Sequence, residues 1–487
     1  MLRTHPSRKV AELIHGPLNG QVPPAFSREV KRGIMREVLS MGLPSMSGFL
    51  VSSLYEIVNM FWLARIGSAP VAAVTMCTTV AWVLSFPNSV IGSGSVAVIS
   101  RRYGENDLLR TELSVKNTFL LKFLMGTILG LCAVPALPWA LDFMNAAPDV
   151  KELGIRYGTM QLSVLGFAMT SYSVYTALRS IGQPRAALWI QVLGTVVNCV
   201  LDPLLIFGLG PFPELGILGA SIATASAQIT VVSTGMWALH RASSPVRVRW
   251  LSNPIFQFGS SSRSDQQPQR QARNEMWQMI RIGFPAGVSS LSFSLATAFA
   301  VKLVAAFGTT AVAAYGMSSK VMHFGVMAVG GLGLGTGALI GQFLGARQLD
   351  RAWVAGVLSL RLAFWIMIGY AAALFVLNNF VVSMFFSDPA THDLARQILR
   401  IMIVSLPMIG LHVGAESVFG GAGHNTPPMV LSIVHSWAMV IPFMYLFGSA
   451  LHFGAIGLMW GWTLAHALGG LAGLWLFRRG TWLQHEV

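Results

Sequence analysis

Leu43 to Leu63 reads LPSMSGFLVSSLYEIVNMFWL, an apolar run with one charged residue, Glu56, in its middle. Crossing about 30 Å of hydrocarbon as an α-helix takes roughly 20 residues, and this run is long enough. Ala355 to Leu377, AGVLSLRLAFWIMIGYAAALFVL, repeats the pattern with Arg361 as its single charge. Neither run alternates in polarity over about ten residues, as a membrane β-strand would. Backbone groups in lipid must be satisfied within the spanning segment, so the remaining solution is helical.

Composition extends this reading to the whole chain of 487 residues. Hydrophobic residues make up 54% and charged residues 11%, against about a quarter charged in an ordinary soluble domain. The net charge of +14 does not point to nucleic acid, because the basic residues sit in short connections between apolar runs. Cys77, Cys132 and Cys199 all lie inside apolar stretches without metal-type spacing, which argues against a disulfide framework or a zinc cluster. No cleaved leader is expected, since residues 1–38 are basic and polar with no apolar core of their own.

Twelve spans are expected, at about 39–64, 70–99, 115–140, 153–178, 186–209, 216–239, 277–306, 312–341, 354–379, 396–419, 428–449 and 454–477. Lys and Arg gather in alternate connections, whereas the opposite set holds only Arg65 and Lys151. By the positive-inside rule both termini are cytoplasmic, in an inner (plasma) membrane. Residues 1–38 then form a cytoplasmic tail, 39–239 an N-lobe, 240–276 a linker, 277–477 a C-lobe and 478–487 a second tail. The linker is rich in Ser, Gln and Arg and lacks apolar residues to fold alone, so it is expected to be flexible. Its Arg263, Arg270 and Arg273 offer a second role, docking a partner or anionic lipid headgroups.

The two lobes are copies. Displacing the chain so that Gly42 meets Gly283 also brings Pro44 onto Pro285, Gly67 onto Gly308, Gly94 onto Gly335, Gly104 onto Gly345 and Gly182 onto Gly423. With an even number of spans each, both copies enter from one face, so their pseudo-twofold axis runs along the membrane normal and the lobes enclose a central cleft. Rocking such lobes about a midplane site is the usual construction of alternating access.

Ionisable groups at membrane depth are functional candidates by default. Glu56 and Asn59 are three apart on one helix face, with Glu56 about 16 Å from the turn at Gly67. Asn198 and Asp202 are four apart, and Pro203 withholds a donor from the next turn, leaving a carbonyl free for a cation. Asp202 also reads as a buried acid held by Asn198 for packing alone. In the second half Glu416 with His412, and Lys320 with His323, share helix faces. Glu416 is either a second coupling or cationic-substrate site, or a carboxylate neutralised by Lys320. Lys302, near a span end, can snorkel to the interface. Tyr55, Met60, Trp62, Met169, Tyr172, Tyr175 and Phe324 offer aromatic faces and methionines for varied hydrophobic cations. The run GLGLGTG at Gly331–Gly337 lies within an apolar span without a preceding strand, so it reads as small-residue helix packing, not as a nucleotide loop. No GxxxxGK[ST] occurs.

Leu54–Val74, LYEIVNMFWLARIGSAPVAAV, and Ala177–Thr224, from ALRSIGQPRAALWIQVLGTVVNCVLDPLLIFG to LGILGASIAT, resemble the two signatures of the multidrug and toxic compound extrusion family. The likeness covers about residues 38–477 and is similar to the DinF-like branch, within the multidrug/oligosaccharidyl-lipid/polysaccharide exporter superfamily. It implies a monomeric antiporter without cofactor, exchanging H⁺ or Na⁺ for small organic, often cationic, compounds. It also implies cation coupling at Asn198 and Asp202, with Na⁺ as one option there, and an auxiliary hydroxyl at Thr224. Asn59 stands where the family usually has an aspartate, which leaves Glu56, one turn away, as the replacement carboxylate. Two other functions compete: a lipid-linked oligosaccharide or polysaccharide flippase, expected to need a more cationic cleft, and an intramembrane metalloenzyme built on His412, Glu416 and His435.

Overall fold

The computed structural model describes residues 28–144, 146–241, 244–250, 263–386 and 388–485. The readings made above for residues 1–27 and 251–262 lie outside the described residues, as does the side chain of Arg263. Helices form nearly all of the described chain: α1 (Arg28–Ile66), α2 (Ser68–Leu84), α3 (Phe86–Gly104), α4 (Leu108–Phe143), α5 (Pro148–Ser163), α6 (Leu165–Ser180), α7 (Pro184–Phe207) and α8 (Ile217–His240) in the first half. The second half holds α9 (Arg263–Ala305), α10 (Thr309–Gly345), α11 (Leu349–Ser383), α12 (Pro389–Ile403), α13 (Leu406–Ala422), α14 (Thr426–Val434), α15 (Ile441–Tyr445) and α16 (Gly454–Arg478), with π-helical segments at His435–Val440 and Leu446–Ala450 around α15.

Among the described residues twelve helical units result when broken helices are counted together, and eight single helices and two bent pairs of them are long and apolar enough to cross a membrane. The second and tenth expected spans are each two helices meeting at 49°, α2 with α3 at Ser85 and α12 with α13 after Ile403. The fourth is likewise broken, at Val164 between α5 and α6. Ser85 and Ser405 turn their hydroxyls onto the carbonyls of Trp82 and Met402, three residues back, competing with the helical ladder at those breaks. Two elements differ from the sequence reading of tail and linker. α1 starts at Arg28, and residues 263–276 continue α9 as helix, because Ala272 and Glu275 find partners on α4: Asn117 donates to the Ala272 carbonyl and Ser114 to the Glu275 carboxylate. The preceding segment is also pinned, with Val246 and Val248 buried in the α4–α8 core.

Glycine decides how the lobes meet. A Cβ on Gly94 of α3 would lie 1.9 Å from the Met279 carbonyl of α9, and one on Gly283 of α9 would lie 1.7 Å from the Val90 carbonyl of α3. Likewise Gly331 and Gly335 of α10 press onto Ser45, Met46 and Met41 of α1. At the base of the seam the contact is reciprocal: Gly104 faces the Gln342 carbonyl, and Gly345 faces the Arg101 carbonyl, the same pair of positions exchanged by the repeat. The glycines of GLGLGTG are therefore packing residues, as read from the sequence. Repeat-related Gly182 and Gly423 also share a left-handed backbone, φ 80° and 78°, which a side chain would strain.

These contacts gather in the half of the molecule that carries the linker. The seam of α3 and α9 ends near Phe86 and Phe284, whose rings meet edge to face, and there α2 bends away at Ser85. Past that level α9 exposes Leu291, Phe293, Leu295 and Phe299, the last against Trp437 of the same lobe, and the glycine contacts described above all lie on the linker side of it.

Candidate functional site

Four helices of the N-lobe, α1, α6, α7 and α8, surround a cavity of about 140 Å³ lined by Ser52, Tyr55, Tyr172, Tyr175, Gln191, Asn198 and Thr224 among others. Close approach is possible because Gly48 on α1 and Gly194 on α7 leave no side chain between the helices; a Cβ there would meet Gln191 and Val231. On the linker side Arg179 lies beside the cavity, its guanidinium over the rings of Phe49 and Tyr175 at 5.5 and 5.8 Å.

The far side of the cavity is polar. The Asn59 amide donates to the Tyr55 hydroxyl at 3.5 Å, and the Tyr55 and Thr224 hydroxyls are 3.2 Å apart. With the Asn198 amide in the orientation that gives both of its atoms a partner, Nδ2 donates to Asp202 Oδ2 at 2.8 Å and Oδ1 accepts from the Thr224 backbone N–H at 3.0 Å. Asp202 is fully buried. Two acceptors in this group, Asp202 Oδ1 and Asn59 Oδ1, have no donor. Buried oxygens without donors are costly, and a pair of them in one cluster of oxygens is a place where a proton or small cation would be held.

Glu56 is not in this cluster. It is exposed and lies seven residues beyond Phe49, on the face of α1 that meets α10 lower down, so it looks across the cleft after the lobes have parted. Asn59 instead bonds Tyr55, whose hydroxyl meets Thr224 of α8, and is 9% exposed. Three-residue spacing leaves about 60° between two side chains, enough to put one in the cleft and the other inside the lobe. Tyr55, Tyr172 and Tyr175 line the N-lobe cavity, with Tyr172 54% exposed. Three of the other candidate cleft residues are drawn away from it: Met169 is buried, while Met60 and Trp62 pack on the core beneath α2 and α5. Phe324 is half-buried on α10.

In the C-lobe the expected pairing of Glu416 with Lys320 is replaced. Glu416 faces His412, Oε1 to Nε2 at 3.5 Å. Ser417, next to Glu416, lies against Gly333, and Lys320 is thirteen residues from Gly333 along α10, about 20 Å at 1.5 Å per residue. His323 is about 15 Å away by the same measure. Both are exposed. Among the described residues no group of three or more His, Cys, Asp and Glu is placed to hold a metal ion.

One residue escaped the sequence reading. Lys122 on α4 is 1% exposed, its ammonium near Gly92 of α3, and no described carboxylate pairs with it. Its signal was present: a lysine inside the expected 115–140 span is as exceptional as a carboxylate there.

The MatE family model matches residues 44–204 and again 285–446, one match in each lobe. The chain is 24% identical over 453 residues to "Probable multidrug resistance protein YoeA" of Bacillus subtilis (strain 168), spanning 92% of this chain and 94% of that protein. It is also 24% identical to the "FAD transporter" of Shewanella oneidensis, over 92% of this chain and 95% of that protein. A solved structure described as "Outward-facing conformation of a multidrug resistance MATE family transporter of the MOP superfamily" superposes with a TM-score of 0.80 at 23% identity, covering 94% of this chain and 98% of that one; the likeness speaks for the fold. With a twelve-span fold of two repeated lobes and a family match in each, the chain belongs to the MatE family, the multidrug and toxic compound extrusion transporters.

Proposed function

We propose that the protein is a secondary active exporter, with both termini cytoplasmic, that exchanges H⁺ or Na⁺ for small, often cationic, organic compounds as the lobes rock about the cleft. The observation that carries this reading is the donor-poor cluster of Tyr55, Asn59, Asn198, Asp202 and Thr224, in which the oxygens of Asp202 and Asn59 lack a partner. A cation there supplies what the cluster lacks. When it leaves, Asp202 becomes a buried charge without a counterion, which favours a different packing of α1, α7 and α8. The close glycine seam at the linker end fits the state in which cargo leaves toward the outside. Glu56, facing the cleft, suits contact with a cationic cargo or the first capture of the coupling ion.

The test is efflux of ethidium from energised cells and from vesicles under imposed proton or sodium gradients. Asp202→Asn is expected to lose gradient-driven efflux, and Glu56→Gln to weaken it. Efflux in Asp202→Asn as fast as in the unmodified protein would remove the coupling assignment. Which gradient drives the unmodified protein decides between H⁺ and Na⁺.

A second reading, export of an anionic or lipid-linked cargo, draws on buried Lys122, a desolvated cation that suits an anionic group, and on the relative named "FAD transporter". Vesicle uptake of FAD that is lost in Lys122→Met, with ethidium efflux unaffected, would favour it.

A further inference from the structure

A cluster of titratable side chains lies in the C-lobe, away from Asp202 and unused by the reading above. His412 on α13, His435 at the start of the π-helical segment, and His466 on α16 are ten, nine and twelve residues from the linker-side ends of their spans at Ala422, Thr426 and Arg478. At 1.5 Å per residue those depths are about 15, 14 and 18 Å, so the three imidazoles share one level. Their rings meet in a row, His412 to His435 at 5.2 Å and His435 to His466 at 4.7 Å between centroids. His466 in turn lies against Trp462 at 3.8 Å.

The row is built into one face of α16. His412 Nδ1 bonds the Gly469 carbonyl at 3.2 Å and His466 Nδ1 bonds the Trp462 carbonyl at 2.9 Å. A carbonyl only accepts, so both Nδ1 atoms carry hydrogen. Gly469 leaves room for the His435 ring, which a Cβ there would approach to 2.5 Å. With Nδ1 committed, His412 turns Nε2 to Glu416, whose side chain is 37% exposed on the α13 face beside the cleft. Only the doubly protonated ring of His412 satisfies both neighbours, donating from Nδ1 to Gly469 and from Nε2 to Glu416. Beside it, His435 Nε2 is buried without any partner, a lone pair or an N–H that nothing in the lobe uses.

We propose that Glu416, His412, His435 and His466 form a second proton-binding site, housed in the C-lobe. A proton from cleft water reaches the Glu416 carboxylate and passes to His412 Nε2. The resulting imidazolium keeps its Nδ1–H on Gly469 and pairs with the regenerated carboxylate, and release to water reverses the path. Among the described residues His435 and His466 are the only other titratable groups turned to this pair. At the linker-side end of α13 His424 lies on Phe419 at 5.8 Å, twelve residues along the chain from His412; other neighbours of α13 are apolar: Gly333 and Gly337 of α10, Leu360 and Ala363 of α11, Val96 of α3 and Trp482 past α16. The π-helical turns at His435–Val440 and Leu446–Ala450, with the break between α12 and α13, place the site among the pliant segments of the C-lobe. Its use in transport rests on the cation-driven reading above; proton binding itself does not.

The experiment is proton uptake by the purified full chain in detergent, titrated potentiometrically from about pH 8.5 to pH 5.5, the range that spans imidazole. The unmodified protein is expected to take up about one proton per chain more than Glu416→Gln, and Asp202→Asn is expected to keep that difference. His412→Gln should lose the same proton, whereas a neutral imidazole buried for packing would contribute none. Equal uptake by the unmodified protein and a folded Glu416→Gln overturns the proposal and leaves the Asp202 assignment standing. Should neither variant fold, histidine-selective ¹⁵N labelling of the unmodified chain decides: a solvent-protected imidazolium near neutral pH supports the site, and wholly neutral protected rings refute it.

Discussion

The seam between the lobes makes a quantitative prediction at its base. Gly104 of α3 and Gly345 of α10 face each other's helices, so that a Cβ would sit 2.0 Å from the Gln342 carbonyl oxygen in one case and 2.1 Å from the Arg101 carbonyl oxygen in the other. Real Cβ atoms essentially never come within 3.0 Å of such a neighbour. Both obstacles are backbone, so Gly104→Ala must drive α3 and α10 apart by about 1 Å at this level. A gap of that size forfeits a quarter to a half of the local dispersion well, and overpacking a tight contact typically costs about 1–3 kcal/mol. The cost falls on the closed seam and spares the state in which the linker end opens. With 1.4 kcal/mol per factor of ten, the ratio of closed to open is expected to fall roughly 5- to 150-fold. Gly104→Ala with Gly345→Ala should add little further, because the first substitution has already separated the helices both occupy. Gly330→Ala on α10, whose Cβ would meet nothing within 4 Å, is the control. Pulsed electron–electron double resonance between labels at Leu109 and Ala346, in a background without native cysteines, reads the separation across this end. A distance distribution for Gly104→Ala that matches both the unmodified protein and Gly330→Ala would refute the reasoning.

The same structure yields three shorter predictions. Thr224→Val strands the Tyr55 hydroxyl and the Asn59–Tyr55 arm while keeping the Asn198 bond to the Thr224 backbone; a loss of about 1–3 kcal/mol in unfolding free energy is expected, read by thermal unfolding in detergent, together with weaker gradient-driven efflux. Gly182→Ala and Gly423→Ala each force a left-handed turn on alanine and should cost similar amounts, on the order of 1 kcal/mol, since the repeat gives them matching backbone; a large inequality in their unfolding midpoints would count against equivalence of the two turns. Past α16, His485 stacks on His424 at 4.5 Å while its carbonyl accepts from Arg101 of α3. Burial holds both imidazoles below their ordinary range, with His485 adding to the effect on His424 and Arg101 to that on His485. A docked pair that binds fewer protons than the released one is most stable at higher pH and loosens as pH falls through about 6.5, so the protection of amides over residues 481–485, taken relative to the intrinsic base-catalysed rate at each pH, should fall on acidification, and a protection factor that does not change with pH would contradict it.

What could be read from the sequence, and what could not, follows from which quantities a helix encodes in its numbering. Length, depth and spacing are linear along the chain. Twelve spans, the duplicated lobes and the packing role of GLGLGTG depend on nothing else, and Asn198, Asp202 and Thr224 do converge as their depths require. The breaks at Ser85, Val164 and Ser405 went unread because a serine or valine in an apolar run bends a helix only where its neighbours leave room. Rotation about the helix axis is the other missing quantity. Depth along one helix could not say that Glu56 and Asn59, about 60° apart, part between cleft and lobe interior, which level of α10 meets Glu416, or that His466 joins His412 and His435. In this chain rotation is fixed by glycine. Gly42 against Leu332 and Thr336, and Gly331 against Ser45 and Met46, lock one face of α1 onto the C-lobe. Whatever continues that face past the seam must then emerge in the cleft, and seven residues beyond Phe49 the residue that does so is Glu56. Pairing the glycines of the two repeats across the seam, beyond merely aligning them, would have assigned Glu56 to the cleft and Asn59 to the lobe interior from the sequence alone.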